Sequence, residues 1–343
     1  MVRVLQIGVG GFGRSWADLA SAAPGIGYAG AVDPDPAARA WARDELGLPG
    51  ERLFPSFADA LLGAEFEAVL LATPPATHHV IGLQAIAAGR HVLVEKPLAA
   101  TLDDAATLVA AAAAAGTVLM VSQNYRHRPP ARAMQAAIRE GAVGRLVAVR
   151  CAHRRDTRTL FPPGNFRYAM RHPLVIDMAI HHMDLLRMLT GQEVTALDAR
   201  GWRVPDSPYL HDPAVAALLT LADGTMVRYE GDWATHGPET SWNGEWEVMG
   251  EDGVLRWTGG VDDALTGRVT LERWGESPRE LPLPELPFRD RGGTLEAFRR
   301  AVEEGIDPET SGRDNLGSLR IVFGMAEAVE RAEPPARPGL PGR

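Results

Sequence analysis

Gly8-Val9-Gly10-Gly11-Phe12-Gly13 directly follows an apolar run at residues 2–7 and opens a helical pattern over residues 12–23. With 36 glycines in the chain a chance G-x-G-x-x-G is easy to find, so the pattern counts only in that setting. A strand that ends in such a turn and feeds a helix has the form of a dinucleotide-binding turn. Its first Gly permits the tight turn, its second lets a pyrophosphate approach the backbone, and its third lets helix and strand pack closely. The helix start then offers unpaired N–H groups and the positive end of its dipole. A further requirement is an acid about 20 residues on, at the end of the next strand. Asp33 stands 20 residues after Gly13 and closes the apolar run at 29–32. Its carboxylate is suited to accept from adenosine ribose hydroxyls and to repel a 2′-phosphate. The expected cofactor is therefore NAD in preference to NADP, held at Gly8, Gly10, Gly11, Phe12, Gly13 and Asp33. The rival reading leaves an ordinary turn and a solvated acid.

Beyond this turn, short apolar runs at 2–7, 26–32, 68–72, 91–94 and 118–122 alternate with helical stretches at 12–23, 36–45, 79–88 and 102–115. That rhythm predicts a parallel sheet covered on both faces, ending near residue 122. The pattern then changes. Helices are expected at 130–140, 176–189, 294–304 and 315–332. Strands are expected at 146–152, 194–204, 214–221, 225–232, 245–249, 254–258 and 269–274, with Asp223-Gly224 and Asp252-Gly253 as hairpin turns. The expected fold class is α/β: a doubly wound Rossmann domain at 1–122, then an α+β domain at 123–333 built on a large, mainly antiparallel open sheet. Residues 334–343 read as a disordered tail.

Composition narrows the function classes. At 343 residues, two domains are the default. A net charge of −9 argues against a nucleic-acid partner. The single cysteine, Cys151, cannot close an intrachain disulfide, which suits a reducing, cytoplasmic setting. The uncharged stretch between Asp104 and Arg126 is mostly alanine and is broken by Gly116, so it reads as helix, turn and strand rather than a membrane span. Of 35 Lys and Arg residues, 34 are Arg and only Lys96 is Lys. A lysine ammonium is compact and open to pKa adjustment where a guanidinium is not, so Lys96 is the first candidate for chemistry.

Two stretches then carry a family resemblance: Leu71-Ala72-Thr73-Pro74-Pro75 with His78, and Gly89-Arg90-His91-Val92-Leu93-Val94-Glu95-Lys96-Pro97. It continues through Gln123-Asn124-Tyr125-Arg126 and Asp177-Met178-Ala179-Ile180-His181. In these the chain resembles the glucose–fructose oxidoreductase, inositol dehydrogenase and rhizopine-catabolism (Gfo/Idh/MocA) family. The resemblance implies that Thr73, Pro74 and His78 belong to the cofactor site, that Glu95 and Asn124 lie against the cofactor, and that Lys96 faces cofactor and substrate across a bond to Pro97 that is often cis. It implies that Asp177 and His181 complete the polar group at the reacting carbon. It also implies oxidation of a sugar or cyclitol hydroxyl with NAD(P), and a homodimer or homotetramer formed through the second domain.

The residue types support these roles independently. Asp177 and His181 are four apart and share a helix face, which Asp184 rejoins, whereas His182 is turned about 100° away. An imidazole is suited to take a hydroxyl proton as hydride leaves the same carbon, with a carboxylate one turn earlier to orient it. Lys96 would hold the developing alkoxide. The plainer readings are a Lys96 ion-paired with Glu95 and a His181 satisfied in the core. With His182 off the face, no metal site is expected. The chain departs from the family in lacking a glycine-rich run before Asp177 and a Gly between Asp177 and His181.

From Arg126 to Arg171 there are eleven Arg against Glu140 and Asp156. Arg126, Arg154 and Arg167 are thus expected to join Lys96, Asn124, Asp177 and His181 at the substrate, possible partners for a substrate carboxylate or phosphate. The alternative is a solvated loop or subunit contact. The leading function is an NAD-dependent dehydrogenase of a sugar, sugar acid or cyclitol. The alternatives are a redox-neutral enzyme of glycosidase or lyase type that retains NAD, and a non-catalytic NAD-binding regulator.

Overall fold

A computed structural model describes residues 1–204 and 207–332. The tail expected at 334–343 lies outside the described residues.

The first sheet is parallel and contains β1 (Val2–Ile7), β2 (Ile26–Val32), β3 (Leu53–Phe54), β4 (Ala68–Leu71), β5 (His91–Val94) and β6 (Leu119–Val121), in the order β3-β2-β1-β4-β5-β6. This is the Rossmann order, and it reverses direction between β1 and β4, where the loops following the two strands part to leave a crevice. The strands between β1 and β5 are joined by α1 (Phe12–Ala22), α2 (Pro36–Leu46), α3 (Phe57–Gly63) and α4 (Pro75–Ala87), and α5 (Leu102–Ala115) leads to β6. Their ends follow local chemistry. Asp35 caps α2 by accepting the Ala37 N–H, Pro36 takes its first position, and Gly47 ends it at φ +65°. The alanine-rich stretch is a helix capped by Thr101, with Asp103 and Asp104 at its positive end and Gly116 closing it at φ +64°. Among the described residues no helix is long and apolar enough to cross a membrane.

The second sheet contains β7 (Leu146–Arg154), β8 (Val194–Trp202), β9 (Ala214–Leu221), β10 (Met226–Asp232), β11 (Glu245–Gly250), β12 (Gly253–Thr258), β13 (Arg268–Arg273) and β14 (Arg279–Glu280). Its order is β14-β13-β12-β11-β7-β10-β9-β8; only β7 and β10 pair in parallel. Burial alternates along β9 and β10, as in a sheet with one covered and one solvated face. The remaining helices are α6 (Pro129–Arg139), α7 (Phe166–Ala169), α8 (Ile180–Thr190), α9 (Asp290–Glu304) and α10 (Gly312–Arg331).

Three features depart from the sequence expectations. The two-residue strands β3 and β14 and the seven-residue α3 went unread, being too short to show a clear period. The helix expected over 176–189 begins as a π-helical turn, Val175–Ala179, before α8. The compact units also do not divide at a single point near residue 122. One compact unit comprises Met1–Ala136, Asp184–Leu189 and Pro282–Arg320, and the other comprises Ala137–Met183, Thr190–Leu281 and the chain from Ile321 onward. The cause is packing: Leu295 and Phe298 of α9 are buried in one cluster with Val2, Val4, Trp16, Ile26, Leu70 and Met120. The C-terminal part of the chain therefore supplies core to the N-terminal sheet.

Candidate active site

The glycine turn is fixed by contacts that only glycine permits. Gly8 has φ +89°, and a Cβ there would lie 2.5 Å from the Ala72 carbonyl oxygen, so the turns after β1 and β4 pass in near contact. A Cβ on Gly13 would lie 2.3 Å from the Gly8 carbonyl oxygen. Gly10 differs: its nearest neighbour would be Asp33 Oδ2 at 3.8 Å. The protein leaves room there, so what a side chain at Gly10 would fill is the cradle itself. Gly11 caps α1 with no side-chain hydrogen bond, and the first turn holds no acid. No side chain therefore competes with a bound anion at this helix start, where the Gly13 and Arg14 N–H groups already bond the Gly10 and Gly11 carbonyls.

A residue overlooked in the sequence holds this turn. The Gln6 side-chain amide donates from Nε2 to the carbonyls of Gly8 (2.8 Å) and Gly13 (2.7 Å), and its Oε1 accepts from the Tyr28 hydroxyl. Gln6 is completely buried. The available signal was a polar residue inside the apolar stretch Val4–Ile7 that leads into the glycine turn.

Asp33 directly follows β2 and is buried, with Oδ2 accepting from the Val9 N–H (3.0 Å) and Oδ1 from the Asp35 N–H (2.9 Å). Two backbone donors hold its carboxylate beside the glycine turn. Thr73 and Pro74 form the turn after β4, where the Thr77 hydroxyl lies 2.7 Å from Thr73 Oγ1 and 2.8 Å from the Pro74 carbonyl. His78 has a different task from the expected cofactor contact. It is buried, with Nδ1 2.9 Å from the Pro97 carbonyl and Nε2 2.8 Å from the Thr73 carbonyl. It ties the Thr73 turn to the cis Lys96–Pro97 turn, and burial depresses its basicity.

Glu95 and Lys96 directly follow β5. The Glu95 carboxylate accepts from Trp16 Nε1 (2.7 Å) and from the Lys96 N–H (3.0 Å). Burial drives its pKa upward, opposed by the Lys96 charge and these hydrogen bonds. Lys96 is half-buried, and its field also reaches the buried Tyr125. Asn124 Nδ2 donates to Asp290 Oδ1, which Arg128 Nε also reaches at 2.7 Å.

Arg126 is not available to a substrate, contrary to the sequence expectation. It is 3% exposed and makes four hydrogen bonds: two to Asp184, one to Asp314 and one to the Glu309 carbonyl. Asp184 is thereby occupied as well.

The other compact unit carries Arg154, Arg167, Asp177 and His181. Asp177 lies in the π-turn, a feature that recurs at functional sites because its wider winding re-aims side chains. Its Oδ2 accepts from Arg167 Nε at 2.6 Å, and the Arg167 guanidinium lies over the rings of Phe161 and Phe166 at 4.8 and 4.7 Å. His181 is the second residue of α8 and is 7% exposed. His182 is the satisfied core histidine, with Nδ1 3.0 Å from the Tyr229 hydroxyl and Nε2 3.1 Å from the Trp242 carbonyl. Tyr168 and Tyr209 organise the loop around Arg167. The Tyr168 hydroxyl donates to the Arg158 and Phe161 carbonyls, and burial pushes the Tyr209 hydroxyl, paired with Thr157, up to about 12. Arg154, Arg155, Arg158 and Arg171 meet Glu245, Glu239, Asp156 and Glu330. The charge excess of the Arg-rich segment is therefore largely met by acids, most of them distant in sequence. Among the described residues no three His, Cys, Asp or Glu side chains gather as a metal would need.

Comparison with known proteins matches two continuous segments of the chain. Residues 2–123 match an oxidoreductase family with an NAD-binding Rossmann fold, and residues 131–256 match the GFO/IDH/MocA C-terminal domain. The inositol 2-dehydrogenase 4 of Saccharopolyspora erythraea is 32% identical over 90% of this chain and 95% of its own. The 1,5-anhydro-D-fructose reductase of Ensifer adhaerens is 30% identical over 77% of this chain and 78% of its own. Among solved structures, an Agrobacterium radiobacter oxidoreductase crystallised with NAD+, L-tartaric acid and magnesium shares the fold over 96% of each chain, with a TM-score of 0.85 at 23% identity.

Proposed function

The chain belongs to the Gfo/Idh/MocA oxidoreductase family, and from that premise we propose that it is an NAD-dependent dehydrogenase of a polyhydroxylated small molecule, a sugar, sugar acid or cyclitol. The observation that carries the cofactor half is the glycine turn, where Gly10 borders an open cradle and α1 begins with neither side-chain cap nor acid. Gly8, Gly10, Gly11, Phe12 and Gly13 hold the pyrophosphate, and Asp33 takes the adenosine ribose. Its fixed negative charge favours NAD over NADP. Thr73, Pro74, Glu95 and Asn124 serve the nicotinamide end. When bound, NAD supplies the acceptor for the hydride that leaves the substrate carbon.

The protein's own residues manage the proton and the charge. His181 takes the hydroxyl proton as the carbonyl forms. Asp177, steadied by Arg167, stabilises the resulting imidazolium. The Lys96 ammonium holds the substrate oxygen while it carries negative charge. His78 serves by position, bracing the turns that carry Thr73 and Lys96. A homo-oligomer belongs to the same proposal, supported by Leu218 and Met226 exposed on the solvated face of β9 and β10. A reducing, cytoplasmic setting belongs to it too, supported by the lone buried Cys151.

The test is a panel of sugars, sugar acids and cyclitols with NAD and with NADP, followed by the absorbance of reduced nicotinamide. The expected result is accumulation of NADH with at least one polyol and slower turnover with NADP. Turnover without net NADH would mean redox-neutral chemistry, and NAD binding with no turnover of any polyol would point to a regulator.

A further inference from the structure

Phe12, the first residue of α1, leaves its ring 60% exposed on the glycine turn. Over that ring lies the guanidinium of Arg291, 5.0 Å from the ring centroid, reaching back from α9 to a residue nearly the whole chain away. The same guanidinium lies 5.6 Å from the Trp16 ring and donates from Nη1 to Ser15 Oγ at 2.6 Å. All of its partners are therefore in the first turns of α1. Among the described residues no carboxylate lies within ion-pair distance of Arg291. The adjacent carboxylate, Asp290, is turned instead to Asn124 and Arg128. Arg14 adds a second positive charge to the same turn.

A cation at a helix N-terminus faces the positive end of the dipole, so this placement is unfavourable unless an anion occupies the same space. Arg291 is stacked there with no carboxylate within ion-pair distance among the described residues. We propose that Arg291 is a further cofactor-binding residue. On this proposal its guanidinium would help hold the dinucleotide pyrophosphate at the glycine turn, so that a C-terminal helix completes an N-terminal phosphate site. This inference rests on the NAD reading above and adds to it the group that neutralises the diphosphate. Arg suits the task because its planar fork can keep one N–H on Ser15 and present others to phosphate oxygens.

Arg291→Met retains the apolar stem against Phe12 and Trp16 and removes the charge. The experiment measures binding of NAD, ADP-ribose and adenosine by calorimetry at several salt concentrations, together with the melting temperature of the ligand-free protein. Loss of a charge-assisted hydrogen bond of this kind raises Kd for NAD and ADP-ribose about 10- to 100-fold. The variant should show a shallower salt dependence, unchanged adenosine binding and an unchanged or higher melting temperature, with partial recovery in Arg291→Lys. Wild-type affinity for ADP-ribose in Arg291→Met overturns the proposal, as does lost affinity accompanied by a lower melting temperature. Failure of the wild-type protein to bind ADP-ribose would instead refute the dinucleotide reading itself.

Discussion

Replacing Gln6 by Glu changes one atom type and removes the donors that hold the glycine turn. In the wild-type protein the two N–H bonds of one buried amide satisfy the carbonyls of Gly8 and Gly13. A carboxylate has no N–H to offer, so both carbonyls lose this donor and face a negative charge, although that of Gly13, in the first turn of α1, still accepts within the helix. The Gly8 carbonyl is left unsatisfied, which costs about 1–3 kcal/mol unless the turn opens to admit water. Either response disturbs the cofactor cradle. The variant is also pH-dependent in a definite direction. Burial raises the pKa of an introduced carboxyl, and the protonated acid regains one donor. Its folded pKa is raised above the unfolded value, so the recovered stability is present at low pH and is lost as pH rises through the folded pKa. The assay is NAD titration by calorimetry beside thermal unfolding, between about pH 5 and pH 8. We expect Gln6→Glu to weaken NAD binding at least about tenfold at the alkaline end, with partial recovery on acidification, and Gln6→Leu to weaken it without recovery. Wild-type NAD affinity in Gln6→Glu at the alkaline end would refute the idea that this amide holds the turn.

Arg126→Met should destabilise the fold by about 3–5 kcal/mol, since it strands the buried Asp184, while leaving NAD affinity within about twofold. Denaturant unfolding checks this, and unchanged stability with impaired substrate KM would return Arg126 to the substrate site. His181→Asn should lower kcat about a hundredfold to ten-thousandfold with NAD affinity intact, and steady-state kinetics with the substrate from the panel would show it. Near-normal kcat would remove His181 as the base. Glu95 has a raised pKa in the folded state, so its contribution to stability is present at low pH and declines as pH rises from its ordinary value through the folded one. The unfolding free energy of wild type minus that of Glu95→Gln should fall with rising pH over that window, and a flat or rising difference would contradict the burial argument.

The Rossmann half was legible because its signals are local. Its glycine turn, its alternating runs and the caps of α2 and α5 each involve residues within a few positions of one another. The antiparallel sheet was legible for a similar reason, since hairpin turns and two-residue alternation lie within single strands. The roles of Arg126, His78 and Gln6 were not legible. Arg126 looked like one of a surplus of cations, and its neutralising partners Asp184 and Asp314 come from 58 and 188 residues away. His78 was read by its place beside a motif, whereas its two carbonyl partners come from separate turns. The π-turn carrying Asp177 could not be read either, because a four-residue spacing is the same in sequence whether the turn winds by four or by five.

Residue types and short spacings by themselves determined that a dinucleotide turn exists, which acid follows it, and that lysine occurs once. Those properties arise from backbone freedom, side-chain chemistry and helical period, all of which act over a few bonds. Only the tertiary structure decided which charges are spent on the protein and which remain for a ligand, because desolvation and pairing depend on neighbours that the chain brings from far away. Arg126 and Arg291 have the same side chain. One is buried against three acidic residues, and the other is stacked on an exposed ring at the positive end of a helix.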